Sequence, residues 1–125
     1  MADNRPPLLL IATTADAERL RGALTIACTE AALGGTVRLC LLLDAVALLR
    51  EPVAAPRDDA HAQNGLPRLV ALIDDALDLG VGIIACQSGL ALADIDAADL
   101  DPRITTGGPM TALAWASAED RIVIA

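Results

Sequence analysis

Short apolar runs alternate along this chain with stretches whose apolar residues recur every three or four positions, and that alternation sets narrow limits on the fold. Residues 8–13, 36–43, 81–85 and 121–124 are runs of the first kind, with the length and aliphatic content of strands. In the second run Val37, Leu39, Leu41 and Leu43 share one face and Cys40 and Leu42 the other, with Arg38 as the exception. Residues 102–106 form a weaker strand that ends in Gly107-Gly108-Pro109. The spacing predicts a helix over 17–33, with Asp16 at its start, Leu20, Leu24, Ala27, Cys28 and Ala31 inward, and Glu18, Arg19, Arg21 and Glu30 on the other side. Gly34-Gly35 supplies its stop. A second helix spans 66–79, with Pro67 in its first turn, Leu69, Leu72, Ile73, Ala76 and Leu77 inward, and Gly80 at its end. Shorter helices follow Cys86 as far as residue 93 and cover 110–118. Strands alternating with helices imply right-handed βαβ crossovers and an α/β fold with a mainly parallel sheet of about five strands.

One stretch escapes both periods. After a short helical turn at 45–50, residues 51–65 are polar, carry Pro52 and Pro56, and offer little apolar surface to offset the entropy of ordering them. They are expected to be the least ordered part of the chain and a mobile cover over the carboxyl edge of the sheet.

The 125 residues fit a single domain over 1–125, and an apolar fraction of 54% is ample for its core. Trp115 is the only aromatic residue other than histidine, so that core is aliphatic and stacking platforms for nucleic-acid bases are missing. A net charge of −8, with nine scattered arginines as the only Lys or Arg residues, also argues against nucleic acid as a partner. The lack of lysine excludes a Walker-type phosphate lysine and a lysine Schiff base. No run approaches the roughly 20 apolar residues of a membrane span, and 1–12 lack a signal-peptide pattern. Cys28, Cys40 and Cys86 are an odd set without C-x-x-C spacing, which fits a reducing cytoplasm better than a disulfide framework or structural zinc. A cytoplasmic location is expected, with no metal and no cofactor.

In an open parallel sheet the strand ends share one crevice, which gathers Thr13-Thr14, Asp44, Cys86-Gln87-Ser88 and Thr105-Thr106-Gly107 although they are distant in sequence. Cys86 closes an apolar strand and opens a helix, where the free N–H groups favour a thiolate. It reads either as an accessible nucleophile or as a small apolar filler at a strand end; Cys28 and Cys40 fall inside regular elements and are expected to be buried. Thr13, Asp44, Gln87, Ser88 and Gly107 are the candidate substrate-binding residues around it. Ser88 lacks His and acid partners at fixed spacing and also reads as an ordinary helix-start residue. Asp44 either orients a ligand or holds a loop N–H. His61, the only histidine, is either a proton partner carried by the loop or simply solvated. Trp115 reads as packing in a core or a subunit contact.

The segment 69–95, with Leu79-Gly80-Val81, Ala85-Cys86-Gln87-Ser88 and Leu90-Ala91-Leu92-Ala93-Asp94-Ile95, resembles the DsrE/DsrF-like family of sulfur-relay proteins. Ala31-Ala32-Leu33-Gly34-Gly35-Thr36-Val37-Arg38-Leu39, followed by Leu43-Asp44-Ala45-Val46, agrees with it, and the likeness covers nearly the whole chain. The resemblance implies a flavodoxin-like three-layer α/β/α fold, trimers or hexamers, and a cysteine that carries sulfur as a persulfide, a role matched here by Cys86 alone. The second nearby cysteine of some members is missing from this chain. The function expected is therefore a sulfur carrier or sulfurtransferase that takes sulfane sulfur from a donor protein or small persulfide and hands it to an acceptor. The alternatives are a non-catalytic oligomeric module that binds a small ligand, and a thiol peroxidase, for which no resolving thiol is visible.

Overall fold

The computed structural model describes residues 5–125, so the part of the signal-peptide reading that rests on residues 1–4 lies outside the described residues. Five strands, β1 Leu8–Ala12, β2 Val37–Leu41, β3 Gly82–Cys86, β4 Thr105–Gly107 and β5 Arg121–Ile124, form one sheet in the order β4-β3-β2-β1-β5 with every pairing parallel. The helices are α1 Ala17–Ala32, α2 Asp58–Gln63, α3 Leu69–Asp78, α4 Gln87–Leu92 and α5 Pro109–Trp115, with 3-10 helices at Leu43–Leu49 and Ala97–Asp99. The expected α/β fold with flavodoxin-like layering is what the chain adopts.

The two faces of the sheet are unequally covered. Leu8, Leu10, Leu39, Leu41, Ile83 and Ala85 face the larger core, which buries Leu20 and Leu24 of α1, Leu69 and Ile73 of α3, and Leu90 of α4. On the other face Leu9, Ile11, Cys40 and Ile84 pack under Ala112 and the half-buried Trp115 of α5, with Leu42 and Ala116 at the margin. Full burial of one such leucine is worth about 1.5–3 kcal/mol, so most of the cohesion lies on the first face. At the strand that ends the sheet beyond β1, Ile122, Val123 and Ile124 stay exposed.

Local chemistry explains where the elements begin and end. Asp16 caps α1 by accepting from the N–H groups of Glu18 and Arg19 at 2.9 and 3.1 Å. Gly34, at φ +93°, supplies the left-handed residue that closes it. Gly35 has a different duty: a Cβ there would lie 2.3 Å from Glu30 Oε2. The second strand stops at Leu41, two residues before the sequence period does, and Leu43 turns to φ +52° and lies exposed at the start of a 3-10 helix. Helix α3 begins at Leu69 rather than 66, because the Pro67 carbonyl is taken by Arg21 and Arg68 is still extended. The fourth strand starts only at Thr105, and the last helix ends at Trp115.

Two features correct the sequence reading more deeply. Arg21 and Glu30, placed on the solvent side of α1 by the helical period, are buried, each at the centre of an ion-pair cluster. The segment 51–65 is not a structureless cover: it contains α2, and its Asp58 is buried. The Asp58 carboxylate accepts from Arg21 at 2.8 Å and from the Leu69 and Ala55 N–H groups at 2.9 and 3.0 Å. Burial pushes the Asp58 pKa up, but these donors outweigh it and leave the pKa below the ordinary value. The segment is pinned to α1 and α3, with no gate to offer the sheet edge.

Candidate functional site

Cys86 is the last residue of β3 and the residue from which α4 starts, so the sequence places it at a strand-to-helix junction on the carboxyl edge of the sheet. The register sets Cys86 opposite Gly107 of β4. Gly107 is buried against Thr111 and Ile84, where a Cβ would meet Thr111 Oγ1 at 3.0 Å and Ile84 Cγ2 at 3.3 Å; this explains the glycine as a close approach of β4, β3 and α5. Gly89, one turn into α4, lies against the chain at Leu43, and a Cβ there would sit 2.6 Å from the Leu43 carbonyl oxygen. That approach brings the Leu43-Asp44 corner beside the start of α4.

The polar residues around this junction are available. Asp44, Gln87 and Ser88 are all exposed, and none makes a side-chain hydrogen bond or ion pair among the described residues. Asp44 therefore holds no loop N–H. Thr13 is half-buried just past the end of β1, and Leu42 N–H donates to the Ala12 carbonyl at 2.8 Å, which ties that strand end to the end of β2. β2 separates Thr13 from Cys86, a gap of about two strand spacings of roughly 4.8 Å each. The sheet thus brings Gly107, Gln87, Ser88 and the Asp44 corner to Cys86 and leaves Thr13 at the periphery.

The thiols themselves depart from expectation. Cys86 is buried, at 5% exposure, rather than accessible, and Cys28 is half-buried rather than buried; Cys40 is buried as expected. Cys86 packs within the larger core, and Cys28 packs only partly against it. Burial raises the Cys28 pKa, with Asp75 adding to it. Cys40 is pushed up to about 11 by burial and by the nearby Cys86, which leaves it a protonated thiol at neutral pH. Cys40 pairs with Ile84, two residues short of Cys86 on the neighbouring strand. Such diagonal neighbours are about 7–8 Å apart at Cα, too far for an unstrained disulfide. Helix α4 has six residues, so its dipole is smaller than a full-length helix would bring to the junction.

His61 neither reaches Cys86 nor stands in solvent. Its Nε2 lies 2.9 Å from Glu18 Oε1, and the same carboxylate takes Arg21 Nε at 3.3 Å and Arg57 at 3.7 Å. The histidine bond is the main reason the Glu18 carboxyl is held below its usual range. Sequence reasoning missed this cluster because Glu18 and His61 lie 43 positions apart. Among the described residues no group of three His, Cys, Asp or Glu side chains is placed to hold a metal ion, and no helix is long and apolar enough to cross a membrane.

No family model matches the sequence, and no curated protein matches it either. Solved structures do match. The ychN protein from E. coli superposes with a TM-score of 0.78 at 15% identity, over 96% of this chain and 99% of that one. A conserved protein of unknown function, BT1422 from Bacteroides thetaiotaomicron, gives 0.70 at 16% identity, over 96% and 95% of the two chains. MTH1491 from Methanobacterium thermoautotrophicum, also of unknown function, gives 0.64 at 14% identity, over 96% and 99%. At these identities the likeness is one of fold: the chain is built as the ychN protein is, over nearly its whole length.

Proposed function

We propose that the protein is a sulfur carrier in which Cys86 holds sulfane sulfur as a persulfide. The observation that carries this reading is the junction itself: one cysteine at the end of β3, bordered by exposed Gln87, Ser88 and Asp44, whose side chains have no hydrogen-bond or ion-pair partner among the described residues. The Cys86 thiolate attacks the outer sulfur of a donor persulfide, the donor S–S bond breaks, and the donor thiolate leaves. An acceptor thiolate then attacks the outer sulfur on Cys86, and Cys86 leaves as thiolate, so the cycle has no net oxidation. Burial shields the loaded sulfur from stray thiols, and loading requires α4 to move off the Leu43 corner. The resemblance to DsrE/DsrF-like sulfur-relay proteins supports the same reading, as do three free thiols suited to a reducing cytoplasm.

Assembly into trimers, or pairs of trimers, belongs to this proposal. Ile122 and Ile124 on β5, together with Leu113 and Met110 on α5, leave apolar surface open on the thinly covered side.

One observation favours a second reading. At 5% exposure Cys86 also suits an apolar filler, and the protein is then a small-ligand-binding module without sulfur chemistry. Incubation with cysteine persulfide, persulfide-specific tagging and peptide mapping separates the two. The carrier reading expects the tag on the Cys86 peptide in the native protein and in Cys40→Ser, and its transfer to an added acceptor thiol. A tag confined to Cys28, or none, supports the binding module.

A further inference from the structure

The thinly covered face of the sheet carries a feature unconnected with the thiols. A cavity of about 220 Å³ is lined there by Arg38, Gly82, Ile84, Thr105, Thr106 and Thr111. Seven of the nine arginines lie within ion-pair distance of a carboxylate among the described residues. Arg38 and the exposed Arg50 do not, and Arg38 is the half-buried one. In a chain of net charge −8, a guanidinium held on the middle of a sheet without an acidic partner calls for a different counter-charge.

Its surroundings are arranged to hold it in place. Arg38 pairs with Gly82 across the sheet, and a Cβ at that glycine would lie 3.4 Å from Arg38 Cγ, so the bare backbone gives the arginine stem a bed. Above, the guanidinium carbon stacks 4.7 Å from the centre of the Trp115 ring. Stacking occupies the face of the guanidinium and leaves its N–H edge for hydrogen bonding. Thr105, Thr106 and Thr111 line the same cavity and no carboxylate does; the Thr105 hydroxyl donates to the Ile83 carbonyl at 3.2 Å, which leaves Thr111 of α5 as the hydroxyl on the Arg38 side. Two of the cavities on the other side of the sheet differ: one is lined by Glu51, Asp74 and Asp101 among others, another by Asp16 and Glu18 with Arg57.

We infer that this cavity is a binding site for a small tetrahedral oxyanion of the sulfate or phosphate type, with Arg38 as its counter-charge and the Thr111 hydroxyl as a second donor. A planar fork from the sheet and a hydroxyl from α5 suit an ion whose oxygens point in several directions. The site does not depend on persulfide chemistry at Cys86.

Trp115, the sole tryptophan, reports on the site because its ring carries the guanidinium. The full-length protein is titrated with sodium sulfate and, separately, sodium phosphate against sodium chloride at matched ionic strength, reading tryptophan emission. Equilibrium dialysis with radiolabelled sulfate and phosphate gives an independent measure. Saturable binding of sulfate or phosphate, without a chloride response, is expected, and the stronger of the two arms names the ion. Arg38→Gln should weaken binding at least about tenfold, the loss of a charge-assisted bond. Thr111→Val, at an exposed position, should weaken it severalfold while the circular dichroism spectrum stays native, and it carries the test should Arg38→Gln fail to fold. Three results would overturn the site: no saturable binding by dialysis, equal binding in Arg38→Gln, or loss of an oligomer in Arg38→Gln while the native protein binds neither ion. The last would assign the guanidinium to a carboxylate on a second copy of the chain.

Discussion

Gly89 sets how closely α4 approaches the Leu43 corner beside Cys86. Its missing Cβ lets α4 lie against the Leu43 carbonyl, and a methyl group at 2.6 Å from that oxygen forces the two apart. Gly89→Ala should therefore destabilise the protein by about 1–3 kcal/mol, the cost of overpacking. It should also raise the rate at which iodoacetamide labels Cys86 severalfold, measured by peptide mapping, while leaving Cys40 unreactive under α5. Equal Cys86 rates in the two proteins would mean that α4 is not what covers the thiol. Residue by residue the sequence was legible where chemistry is local, as at Asp16 and Gly34. It was silent on the burial of Arg21, Glu30 and His61, each of which meets a partner 25 or more positions away. Burial of a charged residue on a helix is set by the partner that meets it, and no period in the sequence records that partner.

At the scale of elements, the strands and helices could be read because their apolar periods are long and undisturbed; the segment 51–65 could not. Its helix α2 has only six residues and is held by Asp58 rather than by an apolar stripe, so it leaves no periodic trace. Asp58→Ala should cost about 3–5 kcal/mol, since it leaves Arg21 buried with a lost counter-charge, as urea unfolding followed by circular dichroism can measure. A second clamp joins the segment before β1 to the neighbouring strand β5. Glu30 at the end of α1 accepts from Arg5 at 2.7 Å and from Arg121 of β5 at 2.6 Å, and these bonds hold its pKa down to about 2. A carboxyl lowered in the folded state binds protons more weakly there than in the unfolded chain. Its stabilisation is therefore complete above the ordinary value of 4.5 and is lost as the pH falls toward 2. Glu30→Gln should be less stable than the native protein above about pH 5, with the difference vanishing on acidification; a constant difference at every pH would remove the clamp from the account.

For the whole molecule, the two unequal faces of the sheet divide the labour. The face under α1, α3 and α4 holds the larger core, while the face under α5 leaves Met110, Leu113, Ile122 and Ile124 open. Light scattering at micromolar concentration should find a trimer or a multiple of it, and Ile122→Asp with Ile124→Asp should lower the mass to that of a monomer; a native monomer would contradict the assembly. The sequence pointed to the edge where Cys86, Gln87, Ser88, Asp44 and Gly107 gather, since parallel strands must end together, but whether a thiol at a strand end is open or covered depends on packing by α4, which spacing does not encode. The carrier reading stands or falls on that thiol. Intact mass after incubation with a persulfide donor should show the native protein gaining one sulfur atom that is removed by a reductant, and Cys86→Ser gaining none. The same gain in Cys86→Ser, or no gain in the native protein, would contradict it.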